Sequence, residues 1–524
     1  MTRALLLLAL ALAAIAPAHG ADPMPARFPF EEVSLEKLQA DLAKGRTTSV
    51  ALVKAYRQRI AAIDAKGPKL RSVIELNPDA PKIAARLDRE RKAGKVRGPL
   101  HGIPVLLKDN LDTGDRMRTS AGSLALADTP APKDAFVVAR LREAGAIILG
   151  KTNLSEWANI RSPKSSSGWS ARGGQTRNPY VLDRSPCGSS SGTGTAIAAS
   201  LAAVGVGTET DGSIVCPSSV AGLVGVKPTV GLVSRTGIVP ISASQDSAGP
   251  MARTVADAAI LLGAMTAVDA GDAAMATPGR RAETDYRRLL DKRALEGARI
   301  GVLRKGVTGY STHTDALYER AIADLRRLGA EIVDPADPGT DLDIGRGELE
   351  VLLTELKDGL AKYLAGRPDA GVKTLADVIA FNEANAAKEM VHFGQEFFAM
   401  AQGMGPVTDP VFLATAARIR QLAREHLDGA LAKHRLDALV APTGGPAWPV
   451  DPLNGDHHLG GSSRAPAVAG YPNVTVTMGD ARGLPVGISF LGTAWSEARL
   501  LALAYAYEQG TGHRKAPRFR PTLP

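Results

Sequence analysis

Two serines and a lysine stand in settings where their side chains could do chemistry. Ser189 lies in a serine-glycine run, CGSSSGTG, and Ser213 in a polar turn, TETDGS, 213 − 189 = 24 residues later. Both belong to a stretch poor in bulky side chains, Arg184 to Pro228, whose glycines allow backbone amides to approach a reacting atom closely. Lys108 ends a short apolar run, IPVLLKDN. A serine hydroxyl attacks a carbonyl when a base takes its proton, and a lysine can be that base once it is neutral. Free lysine titrates near ~10.4, so a lysine poised near ~7 has to be buried.

Competing chemistries fit less well. GSSSG at Gly188–Gly192 matches the G-x-S-x-G elbow with Ser190 in the middle, but the preceding DRSPCGS carries charges and Pro186 and does not make the buried strand an elbow needs. No GK[ST] follows the glycines, and no G-x-G-x-x-G opens a helix after a strand, which excludes a phosphate-cradling loop. Of the nine histidines only His101 lies near these motifs in sequence. His457 and His458 sit in a loop without a spaced partner, so neither a Ser/His/Asp triad nor a metal site assembles from them. A flexible linker is excluded because AIAASLAAVGVG, Ala196 to Gly207, reads as a buried helix.

The fold must carry Lys108 across 213 − 108 = 105 residues to the second serine. Ser34 is expected to cap a helix with Leu35, Leu38 and Leu42 on one face, and a second helix starts near Thr48. SVIELNP, IPVLLKDN and Ala146 to Leu149 read as strands, separated by charged helical segments over Pro81–Ala93 and Asp134–Ala144. This βα alternation indicates an α/β fold, in which reactive groups gather at strand ends. SQDSAGPMARTVAD reads as a polar turn before a helix capped by Thr254. From about 269 to 428 the sequence turns to long charged and alanine-rich helices, broken by the strand ARIGVLR, and is expected to be a variable helical insertion. Strands return at LDALVAPT and in a hairpin over Asn473–Gly492, and Ser496–Gln509 is a closing helix. The tail, Gly510–Pro524, is basic and loop-like.

Composition describes a globular chain: 524 residues, 44% hydrophobic and 22% charged. The net charge of +9 does not indicate a nucleic-acid partner, because the basic residues alternate with acids, as in RLDRERKAGKVR, and lack interleaved aromatics. Met1 to Gly20 has a short positive start, an apolar run over Ala4–Ala16 and a small-residue end, the pattern of a removed secretory signal, leaving a mature chain of 21–524. That run falls short of the ~20 residues needed to span a membrane, and the mature protein is expected to be periplasmic or secreted. The two cysteines, Cys187 and Cys216, each lie within three residues of Ser189 or Ser213; pairing and two buried thiols both remain open.

The segments GIPVLLKDN, CGSSSG, GTETDGSI, SQDSAGPMAR and GLPVGISFLG, in this order across nearly all the mature chain, resemble the amidase signature family. The TETDGSIVCP variant resembles its peptide amidases in particular. The resemblance implies a single large α/β domain with a mixed β-sheet between helix layers. It also implies a catalytic set of Lys108 as base, Ser189 as relay on a cis peptide, and Ser213 as nucleophile, with the backbone N–H groups of Thr210, Asp211, Gly212 and Ser213 holding the oxyanion. Asp211 and Val215 depart from the commoner glycine and arginine at their positions. Asp246 and Arg253 are expected to hold the turn around the site, and Ser190 and Ser191 to make loop hydrogen bonds. The implied substrate is a small peptide amide or another small-molecule amide, foremost the C-terminal amide of a peptide, with aryl or fatty acid amides as alternatives. No cofactor or metal is demanded. The secretory start argues against the family's role in a cytosolic transamidating complex, and a periplasmic binding protein with a degenerate site need not keep all three residues.

Overall fold

Eleven strands form one continuous mixed sheet in the computed structural model, which describes residues 28–338 and 344–523. In chain order the strands are β1 (Val73–Leu76), β2 (Pro104–Lys108), β3 (Ile147–Thr152), β4 (Trp169–Ser170), β5 (Gly174–Gln175), β6 (Val204–Glu209), β7 (Val224–Lys227) and β8 (Ser247–Ala252). They continue as β9 (Arg299–Val302), β10 (Glu331–Val333), β11 (Ala438–Pro442), β12 (Asn473–Ala481) and β13 (Leu484–Leu491). The sheet order is β1-β3-β2-β6-β8-β7-β12-β13-β11-β9-β10, and β4 and β5 pair separately. β2 lies parallel to both β3 and β6, whereas β8, β7, β12 and β13 follow antiparallel. The secretory signal read over Met1–Gly20 lies outside the described residues. Among the described residues no helix is long and apolar enough to cross a membrane.

The three parallel strands are buried throughout, as expected of strands covered on both faces. β6, VGVGTE, divides its faces by residue size. A Cβ on Gly205 would stand 2.6 Å from Thr193 Cγ2, and one on Gly207 2.8 Å from Ser190 Oγ, so these glycines let the helix Ser191–Ala198 lie directly on the sheet. Val204 and Val206, pointing the other way, join the main core. Helix Val255–Met265 packs against β8 and helix Glu497–Thr511 against β12.

Three expectations change. The run Ala196–Gly207 is not one helix: it stops at Ala198, turns through Ser200 at φ +54°, and continues as β6. Its alternating glycines hid a strand whose small face serves a helix. SQDSAGPMA is not a turn but includes the central strand β8, which tolerates Pro250 where β7 partners only Met251 and Ala252. The expected helical insertion over about 269–428 is heterogeneous: β9 and β10 extend the main sheet and helix Thr312–Arg327 packs on β12, while helices Gly345–Ala365, Leu375–Ala384, Glu396–Gly403 and Pro410–His434 form a lobe. Leu353, Leu356, Leu360 and Leu364 of that lobe share a core with Ala121, Trp157, Val239 and Ile241, which fixes it over the loops beside β2 and β6.

Candidate active site

Lys108 is the last residue of β2, with the ends of β3 and β6 on either side. Three lysines, Lys108, Lys151 and Lys227, have no exposed surface. Lys151 donates to Leu111 O and Thr119 Oγ1, and Lys227 to Tyr471 O and Pro466 O. Lys108 alone of the three meets a serine: its Nζ lies 2.7 Å from Ser189 Oγ, 2.8 Å from Thr208 Oγ1 and 3.1 Å from Thr208 O. Burial lowers Lys108 to about 7, against the opposing pull of the carboxylates of half-buried Asp246 and buried Glu209. A neutral amine has two N–H groups and one lone pair. With its two N–H groups given to the carbonyl and hydroxyl oxygens of Thr208, a neutral Lys108 has its lone pair free for the Ser189 hydroxyl proton; when protonated it donates to Ser189 as well.

Ser189 follows a cis peptide bond from Gly188 and precedes the helix Ser191–Ala198. A side chain on Gly188 would collide with Ser155 Oγ, and the Ser189 carbonyl accepts the Ser155 N–H at 3.1 Å, so the loop is held against the segment after β3. Ser190 N–H donates to the Ser213 carbonyl at 3.1 Å, which joins the two serine turns directly. Ser190 Oγ is tied to both the carbonyl and the N–H of Thr208, at 3.0 and 3.2 Å, and Ser191 Oγ donates to Cys187 O at 2.6 Å. Ser190 is fully buried, its hydroxyl is held by β6, and no strand lies between β5 and it to lead directly into the turn, so it is not an elbow nucleophile.

Ser213 stands between β6 and the helix Val215–Val220. Lys108 and Ser189 have no accessible surface, but Ser213 keeps 8%, so of the three it is the residue a substrate can reach. Its hydroxyl has no protein hydrogen-bond partner among the described residues, and the hydroxyl contact with Ser189 is not formed. Glu209 shapes the turn: its buried Oε2 accepts the N–H groups of Ile214 at 2.7 Å and Val215 at 2.9 Å. Burial raises its pKa while these two N–H groups lower it. Gly212 has φ +77°, and a Cβ there would meet Ser463 Oγ at 3.0 Å. Among the described residues, the N–H groups of Asp211, Gly212 and Ser213 donate to no protein acceptor. Three free backbone donors beside a reachable serine hydroxyl are suited to a developing oxyanion.

The departures from the family pattern find their surroundings here. The Asp211 carboxylate lies 3.9 Å from Arg464 Nε, which also donates to Glu348 at 2.9 Å; Arg464 thus faces two carboxyl groups beside the turn. Glu348 is raised to about 8 by burial first and then by the Asp211 charge. Asp246 accepts the Thr210 hydroxyl at 2.6 Å and the N–H groups of Ile241 and Ser242 at 2.8 and 2.9 Å, so it holds the turn. Arg253 instead caps the far end of helix Ser191–Ala198, donating to Ile197 O and Ala202 O. Cys187 and Cys216 form a disulfide with their Cα atoms 6.0 Å apart, linking the residue before Gly188 to the helix after Ser213. His101 bonds Leu87 O just before β2, at the opposite end of that strand from Lys108, and His458 stacks edge-on against Trp448.

Sequence reasoning missed Thr208, Glu209, Glu348 and Arg464. Thr208 and Glu209 carried a signal, since both stand in the TETDGS segment, but their roles depend on pairing across the sheet. Glu348 and Arg464 come from distant helices and carry none.

The amidase family model matches residues 51–501. A probable amidase of Arabidopsis thaliana is 41% identical over 501 residues, covering 94% of this chain and 92% of its own. The native peptide amidase from Stenotrophomonas maltophilia superposes with a TM-score of 0.89 at 53% identity, over 94% of this chain and 99% of that one. A peptide amidase complex with the competitive inhibitor chymostatin gives 0.91 at 53% identity, over 94% and 100%. With a family match across the sheet, both serine turns and the closing hairpin, the chain belongs to the amidase family and is an amide-hydrolysing enzyme of its single-domain α/β fold.

Proposed function

We propose that the enzyme removes the C-terminal amide of short peptides, giving the free acid and ammonia, with Ser213 as nucleophile, Ser189 as relay and Lys108 as base. The observation that carries the reading is the saturation of Lys108 by Thr208, which turns its lone pair toward the Ser189 hydroxyl 2.7 Å away. The relay requires the Ser213 hydroxyl to turn to Ser189, whose loop is joined to the Ser213 turn by the Ser190 N–H bond to the Ser213 carbonyl. The Ser213 proton then passes to Ser189 as the Ser189 proton passes to Lys108, and Ser213 Oγ bonds to the amide carbon. The carbonyl electron pair moves onto oxygen, where the N–H groups of the turn from Thr210 to Ser213 hold it. As the intermediate collapses, the C–N bond breaks and the proton on Lys108 returns through Ser189 to the departing nitrogen, which leaves as ammonia. Water, deprotonated by the same relay, hydrolyses the Ser213 ester.

The peptide preference is supported by the likeness to peptide amidases, one of which is described in complex with the competitive inhibitor chymostatin. Secretion to the periplasm or beyond belongs to the same proposal, supported by the leader-like start of the sequence and by the Cys187–Cys216 disulfide, since disulfides persist in oxidising compartments. The mature enzyme is to be offered peptide amides, an internal-peptide control, an anilide and a fatty amide, with release of ammonia or amine followed. Preferred turnover of peptide amides is expected; preference for the anilide or fatty amide overturns the substrate assignment.

A further inference from the structure

The basic tail takes no part in the amidase site. It lies at the other end of the sheet. Register runs from Glu209 to Ser247 between β6 and β8 and from Lys227 to Asn473 between β7 and β12, so the start of β12 shares the Lys108 end. The turn of the β12–β13 hairpin, at Arg482 and Gly483, is therefore at the opposite end. There the tail folds back over the hairpin. Phe519 N–H donates to Pro179 O, Arg520 N–H to Tyr180 O, and Leu182 N–H to Arg520 O, while Phe519 packs against the core. A recess of about 630 Å³ opens between tail and hairpin.

The charges around this recess are not balanced. Both lining acids already have cations: Asp480 takes Lys515 at 2.8 Å as well as the Gly483 N–H at 2.7 Å, and Glu31 takes Arg59 at 3.0 Å. His513 is spent on Asp324. Arg482, Arg518 and Arg520 line the same recess, are exposed, and make no side-chain hydrogen bond or ion pair among the described residues, while the charge of Asp480, already bonded to Lys515, also acts on Arg520. Their backbones are fixed by the hairpin turn and by the stitched tail. A Cβ on Gly483 would stand 3.0 Å from Arg520 Nη1, so the Arg520 guanidinium lies over the turn that carries Arg482. Guanidinium groups present parallel N–H donors that match the oxygens of a phosphate, and three such groups lining one recess favour a multiply charged anion over a single carboxylate.

We propose that this recess binds a phosphate-bearing anion, supplied either by a soluble phosphate compound or by the headgroup of an anionic lipid. The mature chain is to be titrated calorimetrically with pyrophosphate at about 50 mM salt, where surface electrostatics are only partly screened, and floated with phosphatidylglycerol or phosphatidylcholine vesicles. The recess variant is Arg482→Gln/Arg518→Gln/Arg520→Gln. The control, Lys54→Gln/Lys66→Gln/Lys95→Gln, removes equal charge from exposed lysines elsewhere. Expected is saturable binding of pyrophosphate, of phosphatidylglycerol vesicles or of both. It should weaken about tenfold or more in the recess variant and less than about twofold in the control, as lost charge-assisted contacts imply. Which arm binds identifies the source of the phosphate. Absence of saturable binding in both arms, or equal weakening in both variants, overturns the site. Unchanged amide hydrolysis and melting temperature report that the recess variant is folded, and Arg482→Gln alone, on an exposed turn, replaces it if it is not.

Discussion

The rate of amide hydrolysis should follow the protonation of Lys108, and the direction of every shift in that titration can be worked from its surroundings. Burial holds the amine near 7, so the base is about 9% neutral at pH 6 and about 91% neutral at pH 8. The value of kcat/KM for a peptide amide, measured from pH 5.5 to 9.5 at fixed ionic strength, should rise about tenfold between these two points and then level off, since the free enzyme's essential base governs that ratio. Asp246 and Glu209 are negative charges that pull the lysine upward. Replacing Asp246 by Asn removes one of them, leaves Lys108 easier to deprotonate, and should move the inflection to lower pH. The variant loses the Thr210 hydroxyl bond to a carboxylate, so its plateau should also fall. A profile flat between pH 6 and 8, or an inflection moved to higher pH in Asp246→Asn, would refute Lys108 as the base.

Other perturbations separate chemistry from support. Ser213→Ala and Lys108→Ala should each cost at least ~10³ in kcat, measured by ammonia release with the fold checked by circular dichroism. Ser190→Ala should keep most of the turnover per folded molecule but lose about 1–3 kcal/mol of stability in urea, because the buried Thr208 N–H loses its acceptor. Gly212→Ala forces a side chain into φ +77° against Ser463 and should lower kcat by about 10²–10³, with a smaller effect on KM, by moving the oxyanion donors. Cys187→Ser/Cys216→Ser opens a link across 29 residues, and a loss of roughly 3–4 kcal/mol in chemical denaturation is expected.

Local signals were legible where the physics is local. Ser34, Thr48 and Thr254 cap their helices through bonds to N–H groups three residues on, and Asn473–Gly492 folds as the expected hairpin. The strands β6 and β8 were obscured because glycine and proline mark turns in sequence, whereas here they fill a sheet packed tightly on both sides. The helices of 345–434 were visible, but not their placement over the loops beside β2 and β6, since the core that Leu353 and Leu356 share with Trp157 joins segments 353 − 157 = 196 residues apart.

The sequence by itself determined which groups are available: a lysine at a strand end, serines on glycine-rich turns, and the family order of motifs that narrows them to Lys108, Ser189 and Ser213. Only the tertiary structure decided how they stand. It left Ser213 reachable, tied Ser190 to β6, paired the cysteines and gave Asp211 a partner in Arg464. It also lowered the Lys108 amine to about 7, because a pKa is set by desolvation and by the partners of each N–H, and those are supplied by residues about a hundred positions away.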